Sequence, residues 1–517
     1  MHWAEVFADT LLQKQKNHVL ATGITPSGPI HIGNMREILT TDAVFRCLVE
    51  KGGDAELIYV ADDFDPLRRV YPYLSKEQYE QHVGRPICDI PCPCGSHKSY
   101  ADHFLSSFLQ ALKEIGVTPK VHRASEMYRR GDYAEAIHIA LENTKNIGHI
   151  LETISKRELP KNWLPFNVCC ENCKKLSTTT PILYEYPMIE YNCTCGHDGK
   201  IDIRKGGVGK LPWRVDWPAR WKMLGVTFEP CGKDLATVGG ARDTGAQIVE
   251  QIYKYPHPAL LVYEFILLKG KGAMHSSQGT ALSAEEMLHM TPPEVLRFLI
   301  TNNQPQKHLV FDSGLGLLNL VDEYDTEERT YFGKEEQIKG MKDLKKTYEL
   351  SQPYNIPKTL PHQVPYRHLV TLVQIGKTWG DIKKVLLRTK QIPKKLTKED
   401  EHRLMQRADH ARYWLIHFAP EIVKFELQPI FPNILLSEEQ QRFLSQFKEV
   451  LPDVLWEAED IHKAIYQISE QQKIPVKTAF ATLYKILLGQ ENGPRAGYFL
   501  STLEKPFVLN RVTEALK

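Results

Sequence analysis

The sequence predicts a multidomain α/β protein that ends in a helical domain. The chain has 517 residues, which is more than one hydrophobic core ordinarily supports. Residues 17–63 alternate strand-like and helix-like apolar patterns, and α/β patterning returns after about residue 210. Beyond residue 351 the apolar residues follow helical spacing with few β-branched runs. That last pattern is typical of a helical bundle.

The first α/β segment is a predicted βαβ unit. The apolar run NHVLATG (17–23) suits a buried strand, and residues 34–51 place apolar side chains at three- and four-residue intervals, as on one face of a helix. Gly52 and Gly53 end that helix, and AELIYVADD (55–63) has the composition of the next strand. The order strand, loop, helix, strand defines the unit.

The loop of this unit, TPSGPIHIGN (25–34), indicates a nucleotide-binding site. It leads into the first turn of a helix, where free backbone N–H groups and the helix dipole favour a phosphate. Gly28 and Gly33 allow close approach of a ligand, and His31 and Asn34 offer hydrogen-bond donors to phosphate or ribose oxygens. An ordinary strand-to-helix loop with a surface histidine is the alternative.

Composition and charge exclude several classes of protein. The 65 Lys and Arg residues nearly balance 63 Asp and Glu, so any nucleic-acid surface must be a local patch. No apolar run approaches the roughly 20 residues of a membrane span. The N-terminal MHWAEVFADTLLQKQK is too polar for a signal peptide. We therefore expect a cytoplasmic protein with no membrane and no DNA partner.

Eight of the ten cysteines fall in two short clusters, each followed by a histidine. In a reducing compartment this pattern favours metal over disulfides. In the first cluster Cys92, Cys94, His97 and His103 are ligand types suited to tetrahedral zinc. A loop with buried cysteines is the alternative for this cluster.

The second cluster has the layout of a zinc ribbon. Cys170 and Cys173 form a C-x2-C, and CTCGH supplies Cys193 together with Cys195 or His197 as the fourth ligand. A hairpin-like stretch, TPILYEYPMIEYN, separates the two halves. Four protein ligands leave no open position for water, so we predict a structural role for both sites.

Two patterns mark the second half of the chain. The run HPALLVYEFILLKG (257–270) is another buried-strand candidate, and SAEE (283–286) is a capping box that would start a helix. Four prolines in SQPYNIPKTLPHQVPYRHL (351–369) indicate a linker. Seven basic residues at 383–398 form either a solvated helix face or a contact for RNA phosphates.

Several of these motifs resemble one enzyme family. TPSGPIHIGN is similar to the ATP-binding HIGH signature of class I aminoacyl-tRNA synthetases, with Asn34 in place of the second histidine. Seven segments resemble the archaeal-type class I lysyl-tRNA synthetases, in the order of that family. They are MHWAE, SGPIHIGNMRE, ADDFDPLRRV, LPWRVDWPARW, GKDLATVGGARDTG, FDSGLGLLNLVDEYD and ENGPRAGYFLSTL.

The resemblance implies a domain organisation in five parts. They are the first half of a Rossmann-type class I synthetase catalytic domain (1–85), a connective insertion with two zinc clusters (86–209), the second half of the catalytic domain with a KMSKS-like loop (210–290), a stem-contact region (291–350) and an all-α anticodon-binding domain (351–517).

The resemblance also implies an activity and its cofactors. The reaction is ATP-dependent ligation of L-lysine to tRNA-Lys through lysyl-adenylate, with Mg²⁺ accompanying ATP and two structural Zn²⁺ ions. Anticodon bases would stack on aromatic side chains of the helical domain. The candidates are Tyr413, Trp414, Trp456, Tyr466 and Tyr484. A non-catalytic or altered-specificity tRNA-binding paralogue is the alternative.

The site residues implied by the resemblance fall into three groups. The ATP-binding group is Pro26, Ser27, Gly28, His31, Gly33, Asn34, Met274 and His275. The catalytic group is His31, Asn34, Ser276 and Ser277, and the lysine-binding group is Gly23, Thr25, Trp213 and Tyr263. For the second zinc cluster the resemblance favours His197 as fourth ligand, whereas a four-sulfur site would use Cys195. Asp62, Asp63 and Asp65 are a second candidate for the lysine ammonium, or else a charged strand end paired with Arg68 and Arg69.

Two departures from the family pattern motivate the paralogue alternative. Leu235 stands where a histidine attributed to the lysine site commonly follows GKD. The KMSKS-type loop is AMHSSQG, with Ala273 and Gln278 in place of the two lysines. Lys269 and Lys271, just upstream, are the nearest candidates to supply the missing charge to the phosphates.

Overall fold

The computed structural model describes residues 1–270, 272–273, 282–336, 343–432 and 434–517. Two compact units are present. The first contains Met1–Leu288, Pro293–Phe311 and the described part of 337–356, and the second contains His289–Pro292, Asp312–Glu336 and Pro357–Lys517. No helix within the described ranges has both the length and the apolar character needed to cross a membrane. The finer division at residues 85, 209, 290 and 350 stays a prediction.

The first unit begins with alternating helices and strands. These are α1 (Trp3–Leu12), β1 (Asn17–Ile24), α2 (Ile32–Glu50), β2 (Asp54–Ala61), α3 (Lys76–Tyr79), α4 (Tyr100–Glu114), β3 (Lys120–Arg123), α5 (Ala124–Arg130), α6 (Ala134–Glu142) and α7 (Thr144–Ser155). Then follow β4 (Asn167–Val168), β5 (Thr179–Glu185), β6 (Met188–Cys193), β7 (Asp198–Asp202), β8 (Gly209–Lys210) and α8 (Trp213–Met223).

The chain continues through shorter elements. These are β9 (Cys231–Gly232), α9 (Ala241–Gln251), β10 (Val262–Tyr263), β11 (Ile266–Leu268), β12 (Gly272–Ala273), α10 (Ala284–Met290), α11 (Pro293–Thr301), β13 (Leu309–Phe311), α12 (Leu315–Tyr331) and α13 (Leu344–Ser351). The last third contains α14 (Tyr366–Ile375), α15 (Trp379–Arg388), α16 (Lys398–His417), α17 (Glu438–Val450), α18 (Ala458–Gln471), α19 (Val476–Leu488), α20 (Ala496–Thr502) and α21 (Lys505–Ala515).

The predicted βαβ unit is confirmed by β1, α2 and β2. Strands β1 and β2 pair in parallel, with Leu20 opposite Leu57, and β3 continues the sheet in parallel beside β2. The apolar stripe of α2, which includes Met35 and Ile38, is buried. The helix starts two residues before the predicted position, because His31 and Asn34 form a capping box at its first turn.

Residues after β8 extend the sheet on the other side of β1. Leu20 bridges Phe228 in parallel, Phe228 bridges Ala259, and β9 pairs in parallel with β10 just beyond. The parallel order is therefore Ala259, Phe228, β1, β2, β3, which is a Rossmann-type arrangement. Successive strands are added on opposite sides of β1, so the sheet has a topological switch point there, where such folds bind ligands.

The prediction of a single strand over residues 257–270 is wrong. The chain pairs with β9 only through Val262 and Tyr263, and Ile266–Leu268 pairs in parallel with β13 in a different sheet. Between them Glu264 donates its backbone N–H to the Pro305 carbonyl, outside both ladders. The capping box at Ser283 is confirmed, because Ser283 and Glu286 exchange backbone to side-chain hydrogen bonds at the start of α10.

Residues 167–210 form a small antiparallel region closed by its own ends. Strand β4 pairs with β8, and between them the predicted hairpin is present as β5 and β6, with β7 added beside β6. Ile189 and Tyr191 of β6 are buried beneath this sheet. The hairpin prediction is confirmed.

The second unit is helical, as predicted. Residues 352–365 contain neither helix nor strand, in agreement with the linker prediction. A buried ion pair joins Arg407 of α16 to Asp325 of α12 at 2.6 Å. Helices α17 to α21 share one apolar core that includes Phe443, Ile465 and Leu487. In the basic run, Lys383 and Lys390 form ion pairs with Glu401 and Glu457.

Candidate active site

A pocket of about 70 Å³ opens at the carboxyl end of β1, at the switch point of the sheet. Its walls come from β1, α2, the end of β2, α8 and the segment around β9. The lining residues are Gly23, Ile24, Thr25, Glu37, Asp62, Trp213, Trp217, Arg220, Glu229, Pro230, Cys231 and Leu235. Three of the four predicted lysine-binding residues, Gly23, Thr25 and Trp213, therefore meet in one cavity.

The carboxylate of Glu37 lines this pocket, and sequence reasoning missed it. It accepts hydrogen bonds from Thr22 Oγ1 at 2.6 Å, the Gly23 backbone N–H at 3.1 Å and the Tyr263 hydroxyl at 2.7 Å. Loss of hydration raises the pKa of Glu37 to about 7 despite these donors. A carboxylate in this state favours binding of a cationic group, which would stabilise its charged form. The one signal in the sequence was an acidic residue in the first turns of α2, just after the predicted nucleotide loop.

Glu229 and the stacked indoles of Trp213 and Trp217 form another part of the pocket wall. Glu229 accepts hydrogen bonds from the indole N–H groups of Trp217, at 3.0 Å, and Trp221. Burial raises the pKa of Glu229. Trp213 stacks on Trp217 with ring centroids 5.3 Å apart and an angle of 15° between their planes. Carboxylates beside aromatic faces suit a ligand with an alkyl chain and ammonium groups.

The fourth predicted lysine-binding residue, Tyr263, contacts Glu37 and is not part of the pocket lining. Tyr263 is therefore connected to the pocket through its hydrogen bond to that carboxylate. Thr25 donates its hydroxyl to Asp65 at 3.1 Å. Leu235, which stands where the family has a histidine, does line the pocket and presents an apolar side chain there.

The pairing proposed for the acidic group after β2 is wrong. Arg68 and Arg69 are exposed, and the carboxylates pair with residues distant in sequence. Lys210 of β8 forms ion pairs with Asp62 and Asp65. Arg220 also forms an ion pair with Asp62, at 2.7 Å. Asp63 forms an ion pair with Arg123, at 2.8 Å.

These ion pairs change what the aspartates offer to a ligand. Burial opposes ionisation of Asp62, but Arg220 and Lys210 hold its pKa below the usual range. Because that charge is already neutralised by two cations, Asp62 is a weaker candidate than Glu37 for binding a ligand ammonium group. The cluster instead ties β8 to Asp62, which lines the pocket.

The predicted nucleotide loop lies beside this pocket. His31 Nδ1 accepts the Gly33 backbone N–H at 3.1 Å, and the Asn34 side-chain oxygen accepts the His31 N–H at 3.2 Å. The Ser27 carbonyl accepts two phenol groups, Tyr100 at 2.7 Å and Tyr73 at 3.1 Å. The loop from Pro26 through Gly28 to Gly33 is thus held from both ends.

The residues that follow the predicted KMSKS-like loop lie beside the nucleotide loop. Ser283 forms an antiparallel bridge with His31, and the Ala284 backbone N–H donates to the Ile30 carbonyl at 2.8 Å. The predicted residues Met274, His275, Ser276 and Ser277 lie outside the described residues, as do Lys271 and Gln278. Their roles stay predictions.

The first cysteine and histidine cluster is assembled in the structure. The Sγ atoms of Cys92 and Cys94 are 3.3 Å apart, and His97 Nδ1 lies 3.4 Å and 3.3 Å from them. His103 Nδ1 lies 3.3 Å from the Cys94 sulfur. Bonds of about 2.0–2.3 Å to a tetrahedral zinc place ligand atoms roughly 3.3–3.8 Å apart, so this donor set fits zinc.

The second cluster brings together four sulfurs. Cys170 lies 3.7 Å from Cys195, and Cys173 lies 3.6 Å from Cys193, near the separation expected around zinc. All four Sγ atoms are within 4.8 Å of one another.

His197 lies outside this group, contrary to the choice that the resemblance favours. Its carbonyl accepts the Cys193 N–H at 2.9 Å, which places residue 197 across the turn from Cys193. The turn passes through Gly196 at a φ of +84°, a conformation that favours glycine, and it directs Cys195 toward the other sulfurs.

Comparisons with known proteins agree with this architecture. The family model described as tRNA synthetases class I (K) matches residues 1–354, and the one described as anticodon binding domain matches residues 396–516. Lysine–tRNA ligase 1 of Methanosarcina acetivorans is 44% identical, over 100% of this chain and 98% of its own. Lysine–tRNA ligases of Picrophilus torridus and Archaeoglobus fulgidus are 42% and 41% identical, over 100% of this chain and 99% and 100% of theirs. A class I catalytic domain followed by a helical anticodon-binding domain, matched along the whole chain, means that this protein belongs to the family of class I lysyl-tRNA synthetases.

Proposed function

We propose that the protein attaches L-lysine to tRNA-Lys in two ATP-dependent steps. The observation that carries the proposal is the Glu37 pocket, which lies at the same end of β1 as the nucleotide loop. This arrangement supports a site for a cationic amino acid beside a site for ATP. The substrates are L-lysine, ATP with its Mg²⁺ ion, and tRNA-Lys, and the expected location is the cytoplasm.

Lysine binding follows from the chemistry of the pocket walls. The ε-ammonium group binds Glu37, and the alkyl chain packs against the indole of Trp213. Glu229 provides a further negative charge, held in place by its two indole donors. Gly23 and Thr25 contact the lysine from the end of β1.

In the first step a lysine carboxylate oxygen attacks the α-phosphorus of ATP. A bond forms between that oxygen and phosphorus, and the bond to the pyrophosphate oxygen breaks, which yields lysyl-adenylate and pyrophosphate. In the second step a terminal ribose hydroxyl of the tRNA attacks the lysyl carbonyl and releases AMP. The protein supplies positioning and charge stabilisation, with no covalent enzyme nucleophile.

The nucleotide is held by the loop before α2. Pro26, Ser27, Gly28 and Gly33 provide backbone contacts, and His31 and Asn34 contact ATP in the transition state. In the KMSKS-like loop, Met274, His275, Ser276 and Ser277 close on the phosphates.

Each cysteine cluster holds one structural Zn²⁺ ion. Cys92, Cys94, His97 and His103 form one site, and the second has four cysteine ligands, Cys170, Cys173, Cys193 and Cys195. The ion cross-links its loops and takes no part in the reaction, because four protein ligands close its coordination shell.

One assay tests the proposed reaction. Purified protein is incubated with ATP, each radiolabelled amino acid in turn, and total tRNA. Charging of tRNA with lysine alone is the expected result. Binding of tRNA without charging, or charging with another amino acid, would overturn the proposal.

A pair of His31 variants separates catalysis from helix capping. The His31 side chain caps α2, so His31→Ala removes a cap that is worth about 1 kcal/mol of stability. Serine restores the cap but is too short to reach ATP. We expect adenylate formation to fall about tenfold or more in both variants, whereas only His31→Ala is destabilised. Full activity in His31→Ser would show that the histidine acts as a cap alone.

The phenols that hold the Ser27 carbonyl give a second test of the loop. Replacing both Tyr73 and Tyr100 by Phe removes both hydrogen bonds to that carbonyl. We expect the KM for ATP to rise about fivefold or more, with little change in the KM for lysine. Each lost hydrogen bond removes roughly 0.5–1.5 kcal/mol that stabilises the ATP-binding conformation of the loop. Tyr79→Phe is the matched control, since its hydroxyl donates to the Pro91 carbonyl in the same apolar cluster. An equal rise in the KM for ATP of Tyr79→Phe would indicate a general effect on the apolar cluster.

A further inference from the structure

The chain changes from one sheet to another just after β10, and this change carries the inference. Strand β10 ends at Tyr263 and pairs with β9, whereas β11 begins at Ile266 and pairs with β13 in a different sheet. We name the two residues between them, Glu264 and Phe265, the sheet junction. Backbone groups at such a point leave one ladder before they join the next, so other groups must contribute hydrogen bonds there.

Arg36 of α2 binds the sheet junction with both terminal nitrogens of its guanidinium group. Nη1 donates to the Phe265 carbonyl at 3.2 Å, and Nη2 donates to the Pro305 and Lys307 carbonyls at 2.9 Å and 2.8 Å. The last two carbonyls belong to the segment just before β13. Arg36 therefore joins β11 and β13 at the point where their pairing begins.

Burial makes this contact rigid. Only 2% of Arg36 is exposed, so a shift of either strand would leave a buried guanidinium donor without a partner, which is costly. Burial lowers the pKa of Arg36 to about 10, so the group stays charged at neutral pH. The Glu264 carboxylate also contacts Lys233, at 2.7 Å, but that lysine is 55% exposed and such ion pairs contribute little. We therefore expect Arg36 to contribute most to the position of the sheet junction.

The helix that carries Arg36 also carries two groups of the candidate active site. Helix α2 begins at the nucleotide loop, where His31 caps its first turn. Glu37, the residue after Arg36, accepts the Tyr263 hydroxyl at 2.7 Å. Consecutive residues of α2 thus bind both sides of the sheet junction, Tyr263 before it and Phe265 within it. The nucleotide loop and the sheet junction are fixed to the same two turns of one helix.

The sheet that begins at this junction leads to a lysine that is a candidate for binding the phosphates. Lys269 directly follows β11, and its backbone N–H donates to the Phe311 carbonyl of β13 at 2.9 Å. On its other side β11 pairs with β12, from which the predicted KMSKS-like loop continues. A rise of about 3.3 Å per residue places Lys269 roughly 13 Å along the strand from Phe265. The direction that the strand takes at the sheet junction therefore determines where Lys269 lies.

We propose that Arg36 is a positioning residue for lysine activation, which holds the β11–β13 sheet in place relative to the nucleotide loop. Arg36 acts through other residues, because it fixes the distance from His31 to Lys269 and to the strand that leads into the KMSKS-like loop. The inference rests on the proposed function, which supplies the reaction, and it adds a residue that is not part of the pocket lining.

The test compares Arg36→Gln and Arg36→Lys with a change at a matched arginine. Arg297 is 1% exposed, donates to the Leu350 and Ile115 carbonyls and to Asp42, and is not part of the pocket lining. Arg297→Gln is therefore the control for loss of a buried guanidinium group. Full-length proteins are assayed for lysine-dependent ATP–pyrophosphate exchange with tRNA-Lys present, and separately for transfer of lysine from preformed lysyl-adenylate to tRNA-Lys.

We expect Arg36→Gln to slow pyrophosphate exchange by about tenfold or more, and transfer by less than about threefold. Activation develops negative charge on the leaving pyrophosphate, whereas transfer takes place after pyrophosphate has left and does not need a cation there. Arg36→Lys should recover part of the exchange activity, because it keeps the charge but not the planar fork of donors. Arg297→Gln should leave both reactions near those of the wild type. Lys269→Ala should cost less in the Arg36→Gln background than in the wild type, because that lysine is already displaced.

Hydrogen exchange measures the contact independently of activity. Backbone amides of residues 264–270 should exchange faster in Arg36→Gln than in the wild type, and at the wild-type rate in Arg297→Gln. Unchanged exchange of these amides in Arg36→Gln would contradict the inference. If the wild type showed no lysine-dependent activity, the proposed function would fail, whereas this measurement would still test the position of the sheet junction.

Two kinetic outcomes would also overturn the inference. Equal losses in pyrophosphate exchange and in transfer would indicate a general disturbance of the first unit. An equal effect of Lys269→Ala in both backgrounds would separate Arg36 from the placement of that lysine. Thermal unfolding checks that each variant folds cooperatively, and Arg36→Lys, which keeps the charge, provides the second variant if Arg36→Gln does not.

Discussion

Replacing Glu37 with Gln is expected to raise the KM for lysine by about 100-fold or more. The variant keeps the shape of the side chain but removes the charge that faces the pocket. Loss of one partner from a desolvated charge pair costs roughly 2–5 kcal/mol, which corresponds to a factor of about 30 to several thousand. Steady-state lysylation at saturating ATP and tRNA measures this effect.

The pH dependence of lysine binding provides an independent check. Burial raises the pKa of Glu37 to about 7, so the free protein carries a protonated Glu37 at pH 6 and an ionised one at pH 8. Lysine affinity should therefore increase with pH through this range, and Glu37→Gln should lack that increase. Tyr263→Phe removes a hydrogen-bond donor that lowers the pKa of Glu37. In this variant the increase in lysine affinity should therefore occur at higher pH.

Stability measurements separate a binding defect from a folding defect. Because the folded-state pKa of Glu37 lies above its unfolded value of 4.5, this residue favours the folded state at low pH. That contribution is fully present below pH 4.5 and is lost as the pH rises through about 7. Without lysine, Glu37→Gln should thus be at least as stable as wild type at pH 8. A marked loss of stability, or an unchanged KM for lysine, would contradict the assigned role of Glu37.

Replacing Cys193 with Ser is expected to remove one of two zinc ions per chain and to unfold the ribbon around β5 to β7. A structural zinc contributes roughly 10–16 kcal/mol of apparent binding free energy in small domains, so loss of one ligand has a large effect. Elemental analysis of reduced protein measures the zinc content, and limited proteolysis of the insertion measures its order. Cys170→Ser should behave in the same way.

The pair Cys195→Ser and His197→Gln identifies the fourth ligand. The structure places the Cys195 sulfur among the other three and leaves His197 outside. Cys195→Ser should therefore lose one zinc, whereas His197→Gln should keep both. The reverse result would assign the ligand to His197, and wild-type protein without zinc would contradict both metal sites.

Features set by neighbouring residues could be predicted from the sequence. The βαβ unit, the capping box at Ser283 and the hairpin of the insertion depend on side-chain periodicity and on local hydrogen bonds. The ligand types of both cysteine clusters could likewise be recognised, because short spacing confines them to one loop or one ribbon. The strand predicted over 257–270 failed for the opposite reason, since its two halves pair with strands from different parts of the chain.

Only the tertiary structure identified the charges that act in the pocket. Glu37 receives a hydrogen bond from Tyr263, 226 residues away, and Asp62 is neutralised by Lys210, 148 residues away. Loss of hydration and proximity of opposite charges, which set the pKa of a carboxylate, both depend on the packed fold. By itself the sequence determined the βαβ unit, the capping box at Ser283, the hairpin of the ribbon and the types of metal ligand, because these follow from neighbours along the chain. Which carboxylate remains available to a cationic substrate was decided by the tertiary structure, because burial and ion pairing join residues that are far apart in sequence.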